Sequence, residues 1–112
     1  MDRPTPRVNS SLLEKYGQPN SSSGDPIRIT GKVERLDGNS AVIEASDQGH
    51  VTVKLSPEAN FSEAYVEVIG KVAQDLTVQE LTSVNMGENL DMSLVEQAVN
   101  LTQAYPGIFG ME

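Results

Sequence analysis

From Ile27 onward apolar and polar positions alternate: Ile27, Ile29, Gly31 and Val33 fall on one face of an extended segment, and Arg28, Thr30, Lys32 and Glu34 on the other. That period predicts a half-buried strand. Asp37-Gly38-Asn39 follows, a turn composition in which Gly and Asn tolerate positive φ, and it leads into Ala41-Val42-Ile43-Glu44-Ala45. Ser46-Asp47-Gln48-Gly49-His50 reads as a second turn, after which Val51, Val53 and Leu55 alternate with Thr52 and Lys54. Three antiparallel strands are expected by Leu55. Ser56 to Glu63 has room for about two helical turns, with Ser56 as cap and Pro57 at the first position. Two β-branched runs come next, residues 64–72 and 76–84, joined by Gln74-Asp75.

Five short strands grouped three and two suggest a closed sheet, because closure removes the edges that a small flat sheet would expose. The order is that of a five-stranded OB-fold barrel, an all-β architecture. Gly31 and Gly70, in the first and fourth of these strands, suit the bulge or kink of a barrel corner. Before the barrel, residues 1–9 read as an extended arm, residues 11–16 as a short helical turn capped by Asn9 or Ser10 and closed by Gly17, and residues 18–26 as a polar linker. The expected organisation is an arm, turn and linker over 1–26, a barrel over 27–87, and an oligomerisation helix and tail over 88–112. Neither residues 1–9 nor 18–26 are expected in the barrel core.

The period returns to 3.6 near the end, where Asp91 can cap a helix from Met92 to Tyr105 that Pro106-Gly107 stops. Leu94, Val95, Ala98, Leu101, Thr102 and Tyr105 fall within a stripe of roughly 120°, which Met92 and Val99 widen. A free helix of ~14 residues is marginal in water. Burying six such side chains is worth roughly 10 kcal/mol gross. The stripe therefore covers the open end of the barrel or meets partner chains.

Charge narrows the choice. The 112 residues carry a net −8, and all 8 Lys and Arg lie at or before Lys71, so the final third has acids and no base. Phosphate backbones are held mainly by Lys and Arg, which makes strong autonomous nucleic-acid binding a poor expectation. Arg28, Lys32 and Lys54 form at most a weak electrostatic track, interrupted by Glu34, Glu44 and Glu67. Base stacking needs aromatic platforms, and the chain offers only Tyr16, Phe61, Tyr65, Tyr105 and Phe109.

Catalytic material is thin. There is no cysteine, hence no thiol nucleophile or disulfide, and a reducing intracellular compartment fits best. The single histidine, His50, has no triad or metal-ligand pattern around it, and no glycine-rich phosphate loop occurs. No enzyme activity, metal or cofactor is expected. No run of ~18 apolar residues or signal-peptide pattern is present, so no membrane association is expected either.

Several segments in order resemble the smallest-subunit family of replication protein A, the eukaryotic heterotrimer that coats single-stranded DNA. They are Pro6-Arg7-Val8-Asn9 before Leu12-Leu13, Ile29-Thr30-Gly31-Lys32-Val33, the run Tyr65-Val66-Glu67-Val68-Ile69-Gly70-Lys71-Val72, Leu90-Asp91-Met92-Ser93-Leu94, and Tyr105-Pro106-Gly107-Ile108-Phe109. The stretch Asn20-Ser21-Ser22-Ser23-Gly24 is longer than the connection this resemblance implies. The resemblance implies an OB barrel whose terminal helix packs with the C-terminal helices of the large and middle subunits. Its partner-binding residues would be Met92, Leu94, Val95, Ala98, Val99, Leu101, Thr102, Tyr105, Ile108 and Phe109. It further implies an assembly role in a nuclear complex of replication, repair and recombination, with minor DNA contact. The alternative is an autonomous single-stranded DNA or RNA binder, since an OB barrel does not settle function.

Overall fold

The computed structural model describes residues 5–17 and 26–104. Its strands are β1 (Arg7–Val8), β2 (Ile27–Asp37), β3 (Ser40–Ala45), β4 (His50–Lys54), β5 (Tyr65–Val72) and β6 (Val78–Asn85). A 3-10 turn (Ser10–Leu12) runs into helix α1 (Leu13–Gly17), and helix α2 (Met92–Ala104) follows the sheet. The long β2 pairs antiparallel with β5 through its first half and with β3 through its second, while β4 meets β6 in parallel. The order β2-β3-β4-β6-β5 thus returns to β2 and closes a five-stranded OB barrel.

Alternation turns Ile27, Ile29, Ile43, Val51, Val53, Val66, Val68 and Val78 inward, and all are buried. Gly31 marks the place where β2 changes partners, since it pairs with both Ala45 and Val66. A Cβ there would come within 2.8 Å of the Glu44 carbonyl and 2.9 Å of Ile43 Cδ1, so only glycine lets the strands approach this closely. At Gly70 a Cβ would overlap the Gln79 carbonyl, and the β5–β6 register slips beside it, leaving Leu81 as the extra residue. The turn at Asp37-Gly38-Asn39 forms as expected, with Gly38 at φ 57.

Three sequence expectations fail locally. Residues 55–64 form no helix: the connector is irregular apart from one turn, closed by Ala59 N–H donating to the Ser56 carbonyl. Ser56 N–H instead donates to the buried Glu80 carboxylate, and Phe61 packs against the core, so tertiary partners displace the local helix. Second, Leu76 belongs to the β5–β6 turn, with φ 67, rather than to β6. Third, the N-terminal arm does enter the core, because Val8 pairs in parallel beside Ile29 and is buried with Leu13 against the barrel interior.

Leu76 holds a left-handed conformation while more than a third exposed, so backbone strain is set against little packing. Leu76→Asn is expected to stabilise the protein by about 0.5–1 kcal/mol. A urea melt should show a higher midpoint at unchanged slope; a lower midpoint would mean that the leucine's packing exceeds the strain.

Candidate assembly interface

Helix α2 begins where Asp91 accepts from Ser93 N–H at 3.0 Å and from Ser93 Oγ at 2.6 Å, the cap the sequence suggested. Those bonds hold the exposed Asp91 carboxyl below the usual carboxylate range, as a charged cap at a helix N-terminus should be.

One side of α2 lies on β1 and α1. Val99 and Thr102 are 1% and 2% exposed there, and Val95 is half-buried beside them. Two polar side chains seven residues apart fasten this side. Glu96 accepts from Asn9 Nδ2 through both oxygens at 3.0 and 3.1 Å, and from Ser46 Oγ at 2.7 Å. Gln103 donates to the Arg7 carbonyl at 3.3 Å and to Tyr16 Oη at 3.2 Å, and accepts from Lys15 Nζ at 3.0 Å.

The arm is fastened in turn to the β3–β4 turn. Asp47 accepts from Ser10 N–H at 3.2 Å, from Ser10 Oγ at 2.8 Å and from Ser11 N–H at 3.0 Å, capping the 3-10 turn from a distant part of the chain. Asn9 occupies the expected capping position but caps no backbone N–H there, because its Oδ1 accepts from Ser11 Oγ at 2.9 Å while its Nδ2 donates to Glu96. Gly49 makes the approach possible, since a Cβ at that position would overlap Ser10 Oγ. Burial pushes the Asp47 carboxyl up, but the hydrogen bonds from Ser10, Ser11 and Gly49 outweigh it, so its pKa lies below the usual value.

What this fastening leaves outside is as informative as what it buries. Leu94 and Leu101 are 60% and 50% exposed. On a helix they lie about 20° apart, with the half-buried Ala98 about 40° from Leu94, whereas Val95, Thr102 and Val99 lie roughly 80–140° away. The single stripe read from the sequence is therefore two faces, one docked and one open. Met92 is half-buried at the first turn. Tyr105, Ile108 and Phe109 lie outside the described residues, as do residues 18–25 of the linker.

No two of the three basic residues named from sequence are direct partners in the sheet register. Arg28 is half-buried with its Nη1 3.8 Å from Glu67, Lys32 stands opposite Glu44, and Lys54 lies on β4 beside Gln79 of β6. His50 is exposed at the start of β4, opposite Glu44. Among the described residues no cluster of three or more potential metal ligands occurs, and no helix is long and apolar enough to cross a membrane.

Glu96, Gln103, Asn9, Ser46 and Asp47 were not singled out as site residues by sequence. Asn9 was legible as a cap and Ser46 and Asp47 as turn residues, but nothing local joined them to Glu96 or to the arm.

The family model for replication factor A protein 3 matches residues 1–109. The chain belongs to this family. It is 32% identical over 111 residues to replication factor A protein 3 of Schizosaccharomyces pombe, covering 97% of this chain and 98% of that one. It is 31% identical over 94 residues to a 14 kDa subunit of replication protein A from Arabidopsis thaliana, covering 82% of each. A chain in the structure of U. maydis replication protein A bound to ssDNA superposes with a TM-score of 0.88 at 34% identity, covering 98% of this chain and 99% of that one. A chain of the S. pombe Stn1-ten1 complex superposes with a TM-score of 0.67 at 14% identity, covering 89% of this chain and 92% of that one, and shares the fold alone. Membership of the replication factor A protein 3 family agrees with the resemblance carried by the sequence segments, and so does the OB barrel with its C-terminal helix.

Proposed function

We propose that this chain is the small subunit of a replication protein A-type single-stranded-DNA-binding complex of the nucleus, where it acts as an assembly element rather than an enzyme. The observation that carries the reading is the open strip of Leu94, Ala98 and Leu101 on a helix whose other side is already fastened to the barrel and arm. Such a strip on a fixed helix suits knobs-into-holes packing against other helices. The partners would be the large and middle subunits, with Met92 and Val95 flanking the contact and Tyr105, Ile108 and Phe109 extending it. The complex would serve replication, repair and recombination.

An assembly role also accords with the charge and the aromatics. The net charge is −8, and of the five aromatics Phe61 packs against the core and Tyr16 is held between Gln103 and the core. The purified chain is therefore expected to bind a labelled oligonucleotide weakly at physiological salt. Fluorescence anisotropy checks this, and a dissociation constant well below ~1 μM would favour an autonomous binder instead. Coexpression with the large and middle subunits supplies the positive arm, in which a tagged copy should purify with both.

A further inference from the structure

The strand register collects half of the chain's bases on one belt of an otherwise acidic molecule. Arg7 and Arg28 are in register across β1 and β2, with Val8 and Ile29 turned inward, so both arginines face out. Arg28 pairs with Ile69 of β5, and Lys71, two residues further along the same face, lies diagonal to it. Lys71 pairs with Gln79 of β6, and Gln79 with Lys54 of β4. Arg7, Arg28, Lys71 and Lys54 therefore follow one another around the outer wall over about four strand spacings, roughly 20 Å.

Acid cover along this belt is light. Glu67 stands 3.8 Å from Arg28, too far for a hydrogen bond, and that is its only described ion pair. Asp75 faces Lys54 but is already engaged by Thr77 N–H and Oγ1, and Asp37, in the same row beyond Ser40, is taken by Arg35 at 2.7 Å. Among the described residues no ion pair involves Arg7, Lys54 or Lys71. The Arg7 end abuts α2, since its carbonyl accepts from Gln103.

We infer that this belt of Arg7, Arg28, Lys71 and Lys54 is a binding site for the phosphate backbone of single-stranded nucleic acid, running across the barrel wall toward the helix that carries the assembly strip. It deepens, and rests on, the reading of the chain as a subunit of a DNA-binding complex. Point charges without stacking platforms make it weak, sequence-indifferent and salt-sensitive. It would add phosphate contacts to a strand held elsewhere in the complex.

The test uses the full chain and a labelled oligothymidylate in low salt, on the order of 20 mM, where phosphate contacts are strongest. The double variant Lys54→Glu/Lys71→Glu, both exposed residues, should weaken binding tenfold or more and flatten the salt slope by about 1.4 for two lost contacts. The control Lys32→Glu makes the charge change of a single replacement off the belt and should weaken binding less than twofold, against threefold or more for Lys71→Glu alone. Equal losses in Lys32→Glu and Lys71→Glu, no binding by the unmodified chain, or equally tight capture of a polyglutamate peptide of matched charge would each overturn the inference. Copurification with the large and middle subunits should be unchanged in the double and in both single variants, and Leu94→Asp should leave the oligonucleotide readout intact. Failure of the belt and failure of the assembly reading are thereby told apart.

Discussion

Replacing Leu94 or Leu101 by aspartate is expected to leave the melting of the isolated chain within about 0.5 kcal/mol of the unmodified protein while abolishing copurification with the large and middle subunits. Both side chains stand at least half in water in the free chain, so an aspartate there breaks no packing and keeps its hydration. On assembly the same carboxylate would be buried among apolar side chains without a partner, at a cost of several kcal/mol. Val99→Asp provides the contrast. That position is 1% exposed on the side of α2 that meets the arm, so the charge should undock the helix in the free chain and destabilise it by about 3 kcal/mol or more. Leu94 and Leu101 variants that melt normally and still purify with both partners would sink the assembly role of this face.

The second large effect concerns the carboxylate that holds the arm. Asp47→Ala should cost about 2 kcal/mol: hydrogen bonds to a charged acceptor are worth roughly 1.5–3 kcal/mol, and this one is partly open to solvent. The Ser10 and Ser11 N–H groups would lose their acceptor, the 3-10 turn its cap, and α2 part of the platform on which Glu96 and Gln103 fasten it. Because the folded pKa of Asp47 is lowered, its contribution is complete above the ordinary carboxylate range and disappears as pH falls through the depressed folded value. Urea melts of the unmodified chain and Asp47→Asn should therefore differ most near neutral pH and converge in acid. A difference independent of pH would show that the charged form of Asp47 does not hold the arm.

Legibility in the sequence followed the range of the interactions. The period-two runs of β2 to β6, the Asp37-Gly38-Asn39 turn, the Asp91 cap and the amphipathic α2 depend on neighbours a few residues away, and the structure realises each of them. Gly31 and Gly70 were legible as corner residues because a missing side chain in a strand is itself a local signal, although the clashes that require them come from distant strands. The family resemblance rested on the same short segments.

Contacts distant in sequence decided the rest. A helix over 56–63 was reasonable from its cap and proline, but Glu80, 24 residues from Ser56, takes the Ser56 N–H, and the core takes Phe61. The arm looked too polar to pack, yet the barrel offers Val8 an open strand edge and Leu13 an apolar wall, and burying both outweighs ordering the short arm. Periodicity could place Leu94, Val95, Ala98, Leu101 and Thr102 together on one broad stripe, since it measures only angles about the helix axis. Where that stripe divides depends on how far the helix is rotated on the barrel. Asn9 and Ser46 set that rotation by gripping Glu96 across 87 and 50 residues of chain, and in doing so they turn Val99 inward and leave Leu94 and Leu101 in water.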